Sequence, residues 1–313
     1  MWLPVLVMTF GMCGCKPQTP EFNLDGTNGT TCANITMGNG RFAYRDGLLY
    51  MASPYGIYEY DVQTEDSIFL SGEIPAFSVS LIVTENHIGY LDYDGSIKAV
   101  TKDGKKTETI RKIDGGCTYF YIDGTTAYYE KNDNLYCQDL NNKKGNTITL
   151  VENIVNYYVS DDKIYAIVED NGNYMAVYSG KDSISFNKIE LSFDPVAVLA
   201  SGEDIYFSQY ETFQVICLAD GQEIALPISS IYYQILDGYV IYLDEETYNN
   251  SCFTAKSYHL ASGKETILCE NVFDFCVLDN RYIAFWTWET VGERWAVYDW
   301  QTGKMKRIDP SET

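Results

Sequence analysis

"RDGLLYMASPYGIYEYDVQTED", Arg45 to Asp66, holds two short apolar-aromatic bursts, with Asp-Gly before the first and a polar cluster after the second. The chain repeats this phrase. The slot filled by "LLYMAS" recurs as "IGYLDY" from Ile88, "TAYYEK" from Thr126, "IYAIVE" from Ile164, "IYFSQY" from Ile205, "YVIYLD" from Tyr239 and "YIAFWT" from Tyr282. A turn precedes each copy, at Asp46-Gly47, Glu85-Asn86, Asp123-Gly124, Asp161-Asp162, Gly202-Glu203, Asp237-Gly238 and Asp279-Asn280. The mean step is about 39 residues, close to the length of a four-stranded propeller blade.

A second turn series runs out of phase with the first, through Gln63-Thr64, Asp103-Gly104, Lys143-Lys144, Gly180-Lys181, Asp220-Gly221, Ser262-Gly263 and Thr302-Gly303. Between the two lie short runs of Tyr, Ile, Val and Phe in loose alternation, the pattern of β-strands. Each unit therefore reads as four antiparallel strands, A to D; in the second these are Phe77–Val83, Ile88–Tyr93, Ser96–Val100 and Thr107–Arg111. A lone sheet of this kind is apolar on both faces and cannot bury them. Sheets packed face to face around an axis can, and they leave no long open edge. The expectation is an all-β chain, a seven-bladed β-propeller of four-stranded antiparallel blades over residues 31–310, with a short tail at 311–313. "TTCANIT", Thr30 to Thr36, reads as a spare outer strand that fastens the ring beside Met305–Ile308 or in its stead.

The repeated D-G-x-x-Y-Y step and the x-L-Y-x-x-D-x-x-T-G step, clearest in "NGRFAYRDGLLYMASPYGIYEYDVQT" from Asn39 to Thr64, resemble the low-density-lipoprotein-receptor-type propellers of exported bacterial proteins. That resemblance implies a fold and a lipoprotein setting. The strict Tyr-Trp-Thr-Asp motif is absent, so no ligand site follows from it.

Of the 313 residues 46% are hydrophobic and 15% aromatic, ample for a packed core. The net charge of -22 argues against nucleic acid, and against adhesion to an anionic lipid surface through protein charge. The opening "MWLPVLVMTFGMCGCKPQ" is apolar from Trp2 to Met12, too short to span a bilayer, and ends in small residues and cysteine. It reads as a signal peptide over residues 1–14, without the usual basic start. Met12-Cys13-Gly14-Cys15 resembles a bacterial lipobox, so Cys15 is the expected lipidation site and residues 15–30 the expected flexible tether. The expected location is outside the cell membrane, held by the lipid anchor. The seven later cysteines show no C-x-x-C pair and fall mostly inside apolar runs, which argues for small buried side chains.

Motifs that would carry chemistry are missing. The two histidines, His87 and His259, stand alone, and no G-x-S-x-G, H-E-x-x-H or phosphate-binding loop occurs. The expectation is no catalytic residue, no metal and no cofactor. The alternative is a carbohydrate-active hydrolase or lyase with carboxylates in the central funnel.

The faces of such a ring differ. The A–B turns are short and uniform, whereas the B–C turns vary: "SPYG", "EDNGN", "QYET", "DEETYNNS" and "TWETVGER". They carry Tyr55, Tyr93, Tyr210, Tyr248 and Trp288, with acids beside them. Variable loops on a rigid scaffold are where sites are built. The longest pair, Asp244–Ser251 and Thr287–Glu293, falls in adjacent blades, so Tyr248, Trp288, Glu246 and Glu289 are the candidate ligand-binding residues. Aromatic platforms beside carboxylates suit a protein, peptide or glycan partner, bound by a monomeric ring.

Overall fold

Two-residue turns set the strand pattern. Asp46 and Gly47 take φ values of 54° and 86°, and the pairs Asp237-Gly238 and Asp279-Asn280 are positive in the same way. Positive φ at both centres makes the type I′ hairpin, whose twist matches that of the strands it joins. In the computed structural model residues 22, 24, 28–72, 79–113, 116–142, 147–181, 183, 185–249, 251–289 and 292–309 are described. The expected signal peptide, Cys15 and the tail lie outside the described residues.

The strands form six antiparallel sheets in which neighbours in sequence are neighbours in space. Five have four strands each, over residues 42–71, 82–112, 120–151, 154–190 and 195–229; the sixth, over 233–308, has seven. The second sheet shows the expected unit as Ile82–Val83, His87–Leu91, Ser96–Thr101 and Thr107–Lys112. Its first strand is shorter than the sequence pattern suggests, and Phe77 and Ser78 lie outside the described residues. In the sixth sheet one long strand, Glu265–Leu278, does double duty. From Glu265 to Cys269 it pairs with Cys252–His259, and from Val272 to Leu278 with Tyr282–Glu289.

Burial falls from the inner strands outward. His87–Leu91 is buried at every position and Leu48–Ser53 at all but the first, whereas the fourth strands Ile148–Val151 and Asn187–Glu190 are exposed or half-exposed throughout. A strand buried on both faces needs a sheet against each face. Tyr50, Ala52 and Ile57 of the first sheet accordingly pack with Val83, Ile88 and Tyr90 of the second. Phe42, Met51 and Tyr58 pack with Cys276, Ala284 and Trp295 of the last, where the edge of Tyr58 meets Trp295 at 5.1 Å. These contacts bring the first and last sheets together and close a β-propeller.

The closing-strand expectation is overturned. Cys32–Thr36 is a short α-helix, every residue of it buried, capped by Thr31 Oγ1, which accepts from Asn34 N at 3.2 Å. It touches the first strands of the third and fourth sheets and the strand Glu265–Leu278, so it sits on the ring's axis. Among the described residues the last strand, Lys304–Ile308, pairs only with Gly292–Asp299. The physical reason is burial. An outer strand is mostly exposed, and "CANIT" is small and apolar enough to fill the axis instead. The later part of the expected tether is also packed: Leu24 is buried among Ile82, Ile97 and Phe120, and Asn28 donates to Ile122 O.

Asn34 makes the central contact. Its Nδ2 donates to Val277 O at 2.9 Å and its Oδ1 accepts from Val277 N at 3.0 Å, so one side-chain amide stands in for a neighbouring strand. Asn34→Ala would leave Val277 O without its partner, while Val277 N keeps its bond to Gln234 Oε1 at 3.3 Å. The expected loss is about 1–3 kcal/mol, the cost of one buried group left unpaired. Urea unfolding of the purified variant checks this, and a loss under about 0.5 kcal/mol would contradict it.

Candidate functional site

The chain threads the axis in one direction. Near the A–B turns the ring of Phe22 lies 5.7 Å from that of His87, and Asn28 O accepts from Val83 N at the end of a first strand. At the other end Asn39 O accepts from Val79 N, and Asn39 N donates to Asp274 Oδ2 near the start of another first strand. The N-terminal segment thus enters by the A–B face and leaves by the face that carries the B–C hairpins and the links between units.

On that second face the five tip aromatics named from the sequence are all exposed. Trp288 is 49% exposed and forms one wall of a notch of about 650 Å³. Across from it stands the hairpin that pairs Asn249 with Cys252, which contributes Thr247, Cys252 and Phe253, and Glu270, Asn271 and Phe273 complete the lining. Two backbone features shape this last part. Asn271 takes a φ of 57° where the long strand passes from one partner to the next, and the ladder shifts register between Val272 and Asp274. The irregularity falls at Phe273, whose ring stands edge-on to Trp288 at 6.0 Å and tilted against Trp286 at 5.2 Å.

The four candidate residues divide. Trp288 lines the notch. Tyr248, 58% exposed, stands at the crest of the facing hairpin, its ring 4.9 Å from Phe253. Glu246 lies on the other side of that hairpin, in a second cavity with Asp244, Lys256 and Glu265. Glu289 is engaged by Arg307 of the last strand. The structure therefore groups Trp288 with Phe253 and Phe273, two residues the sequence analysis did not single out, and separates them from Glu246. A strand pattern cannot show a register shift, so nothing in the sequence marked Phe273.

Behind the notch the site is rigid and charged. Asp274 is buried and accepts from both Asn39 N and Phe275 N, at 3.1 and 2.8 Å. Burial pushes its carboxyl up to about 6, against the pull of these bonds and of the Arg41 charge. Arg41 lies with its guanidinium 4.4 Å from the centre of the Trp286 ring. Burial also raises the Glu293 carboxyl, with Arg41 opposing. Lys256 bridges Asp244 at 2.6 Å and Glu265 at 2.9 Å, and Tyr242 donates to Glu265. No group of three or more metal-ligating side chains occurs among the described residues. All seven cysteines from Cys32 onward are free thiols.

No protein-family model matches the sequence. No curated protein matches it. In fold the chain is similar to Hsv2 of Kluyveromyces lactis, with a TM-score of 0.53 at 9% identity over 84% of this chain and 94% of that one. It is similar to the N-terminal domain of Nup159, with a TM-score of 0.53 at 12% identity over 90% of each. It is also similar to TolB of Acinetobacter baumannii, with a TM-score of 0.51 at 11% identity over 82% of this chain and 77% of that one. At such identities the likeness is one of fold, and that fold is the β-propeller.

Asp274 gives a pH signature. Its native proton is held more tightly than in the unfolded chain, where an aspartate titrates near about 3.9. Between about pH 4 and the native value near 6 the native state binds more protons. Its contribution to stability is therefore largest in acid and is lost as pH rises through that window. Asp274→Asn should flatten the slope of unfolding free energy against pH between pH 4 and 6, measured by denaturant titration at each pH. An unchanged slope would contradict the assignment.

Proposed function

We propose that this chain is a non-enzymatic, exported binding propeller that takes a protein or peptide partner on its B–C face, with Trp288 at the centre of contact. The observation that carries the reading is the half-exposed Trp288 residue on the wall of the 650 Å³ notch, backed by Phe273 and with Phe253 across the notch. A large apolar ring held rigidly beside an open cavity is a binding hot spot in form, because its burial by a partner costs little conformational entropy. Against the carbohydrate-active alternative stands the axis itself, where a funnel site would need room. The chain's own residues 32–36 fill it, buried at every position.

The ring is proposed to have seven blades, the sixth sheet supplying two that share the strand Glu265–Leu278. Support comes from the two pairings of that strand and from seven apolar clusters, which join the units in cyclic order. The D-G-x-x-Y-Y steps support a repeat of the low-density-lipoprotein-receptor type. Lipid attachment at Cys15 completes the reading. Because the N-terminal segment enters by the A–B face, a chain anchored there turns its B–C face away from the membrane.

Two measurements test this. Matched affinity capture from cell-envelope extract with wild type and Trp288→Ala should show the partner of the wild type reduced about tenfold, as expected for loss of about 1.4 kcal/mol at a stacked aromatic. The melting temperature should stay nearly unchanged. Equal capture, or a stability loss of about 3–5 kcal/mol typical of a buried tryptophan, would overturn the site. Metabolic labelling with a palmitate analogue should tag the protein, and Cys15→Ala should remove the tag; a labelled variant would refute the anchor.

A further inference from the structure

The Trp288 notch has companions. A cavity of about 530 Å³ lies between the fifth and sixth sheets, lined by Thr212 and Ser229 on one side and Asp244, Glu246 and Glu265 on the other. Another, of about 560 Å³, lies between the fourth sheet and the link that leads to the fifth, lined by Asp170, Tyr174, Glu190, Phe193 and Asp194. All three open where a B–C hairpin meets a link between units, so they follow one another around a single face.

Ridges separate the troughs. The hairpin that carries Tyr210 bonds Asp194 O through its Tyr210 N at 2.7 Å, while its Thr212 lines the next cavity. The hairpin that carries Tyr248 places Glu246 in the second cavity and Thr247 in the third. Each crest bears one exposed aromatic, and Trp288 stands beyond the third trough. The troughs hold acids: Asp170, Glu190 and Asp194, then Asp244, Glu246 and Glu265, then Glu270. The one cation among these lining residues, Lys256, is already bonded to Asp244 and Glu265.

We infer that this arc of three troughs binds an extended, lysine- or arginine-rich polypeptide segment, laid across the Tyr210, Tyr248 and Trp288 crests with its cationic side chains in the troughs. The inference rests on the partner-binding reading above and names the chemistry of the partner. Charge complementarity selects the occupant. The chain carries a net charge of -22, and acids are among the residues that line each depression. Aromatic rings at the crests accept both the peptide backbone and cationic side chains over their faces. Three linked subsites reinforce one another when one strand spans them, so length is expected to count.

The test uses the full chain and fluorescein-labelled peptides of alternating lysine and glycine, six and eighteen residues long, with a glutamate-glycine peptide as control, read by anisotropy at physiological salt. The expected result is that the long peptide binds at least ten times more tightly than the short one and the acidic peptide does not bind. The pair Glu190→Gln and Asp194→Asn, in the trough farthest from Trp288, should weaken the long peptide about fivefold. The pair Asp161→Asn and Asp220→Asn, exposed turns outside the arc, removes the same charge and should leave it unchanged. Equal losses from both pairs would overturn the inference, since bulk charge would explain them. So would a long peptide that responds to Trp288→Ala but not to the Glu190 and Asp194 changes; that outcome leaves the single-notch reading standing. No binding of the long peptide overturns the basic occupant, and capture with Trp288→Ala still judges the site.

Discussion

Each first strand in this ring has a neighbour on one side only. Its other edge faces the axis, where backbone N–H and C=O groups are shut away from solvent and from any strand. Buried groups of this kind must find partners. Here the N-terminal segment supplies many of them, and Asn156 Oδ1 accepts from Val198 N on the fifth sheet. Gly29 O accepts from Tyr44 N, Asn39 O from Val79 N and Gly40 O from Leu81 N, while Asn34 serves both groups of Val277. Even a thiol is used, since Val159 N lies 3.3 Å from Cys32 Sγ. Gly40 shows how tight the fit is. Its φ is 59° and a Cβ there would lie 2.9 Å from Ser80 Cα, so only glycine lets the segment run this close.

That arrangement explains what was legible in the sequence and what was not. The turns were legible because their chemistry is local: Asp-Gly and Asp-Asn pairs at positive φ dictate a tight hairpin whatever surrounds them. The strand phrase was legible because sheets buried on both faces write nearly unbroken apolar runs, such as "HIGYL". The axial helix was hidden because five residues cannot show a helical period. Its cap pair Thr31 and Asn34 was the available signal, and a strand pattern nearby outweighed it. Trp288 was legible as a strand-end aromatic in a long hairpin. Phe253 and Phe273 were not, because a register shift such as that between Val272 and Asp274 leaves no mark in a strand pattern.

The two faces of the ring differ in the turns they carry. A two-residue type I′ turn needs positive φ at both centres, which confines it to Asp, Asn and Gly and leaves little to vary. On the A–B face Asp46-Gly47, Asp237-Gly238 and Asp279-Asn280 have positive φ at both centres, and that face also receives the N-terminal segment. Of the B–C hairpins, Asn132-Asp133 and Asn171-Gly172 are equally tight, with positive φ at both centres, whereas others bear the exposed rings of Tyr210, Tyr248 and Trp288.

Trp288 illustrates how a ring can be both exposed and fixed. Its strand is held on one side by Val272 and its neighbours and on the other by the pairing of Trp288 with Glu293. Arg307 bonds Glu289 just beyond, tying the hairpin to the outermost strand. Phe273 meets the indole edge-on, and Asp274, one residue later, is clamped by Asn39 and Phe275. The backbone under the notch is therefore anchored to the axial segment, the same element that serves many of the inner edges. Asn39 and Asp274 thus join the axial segment to the backbone beneath the notch.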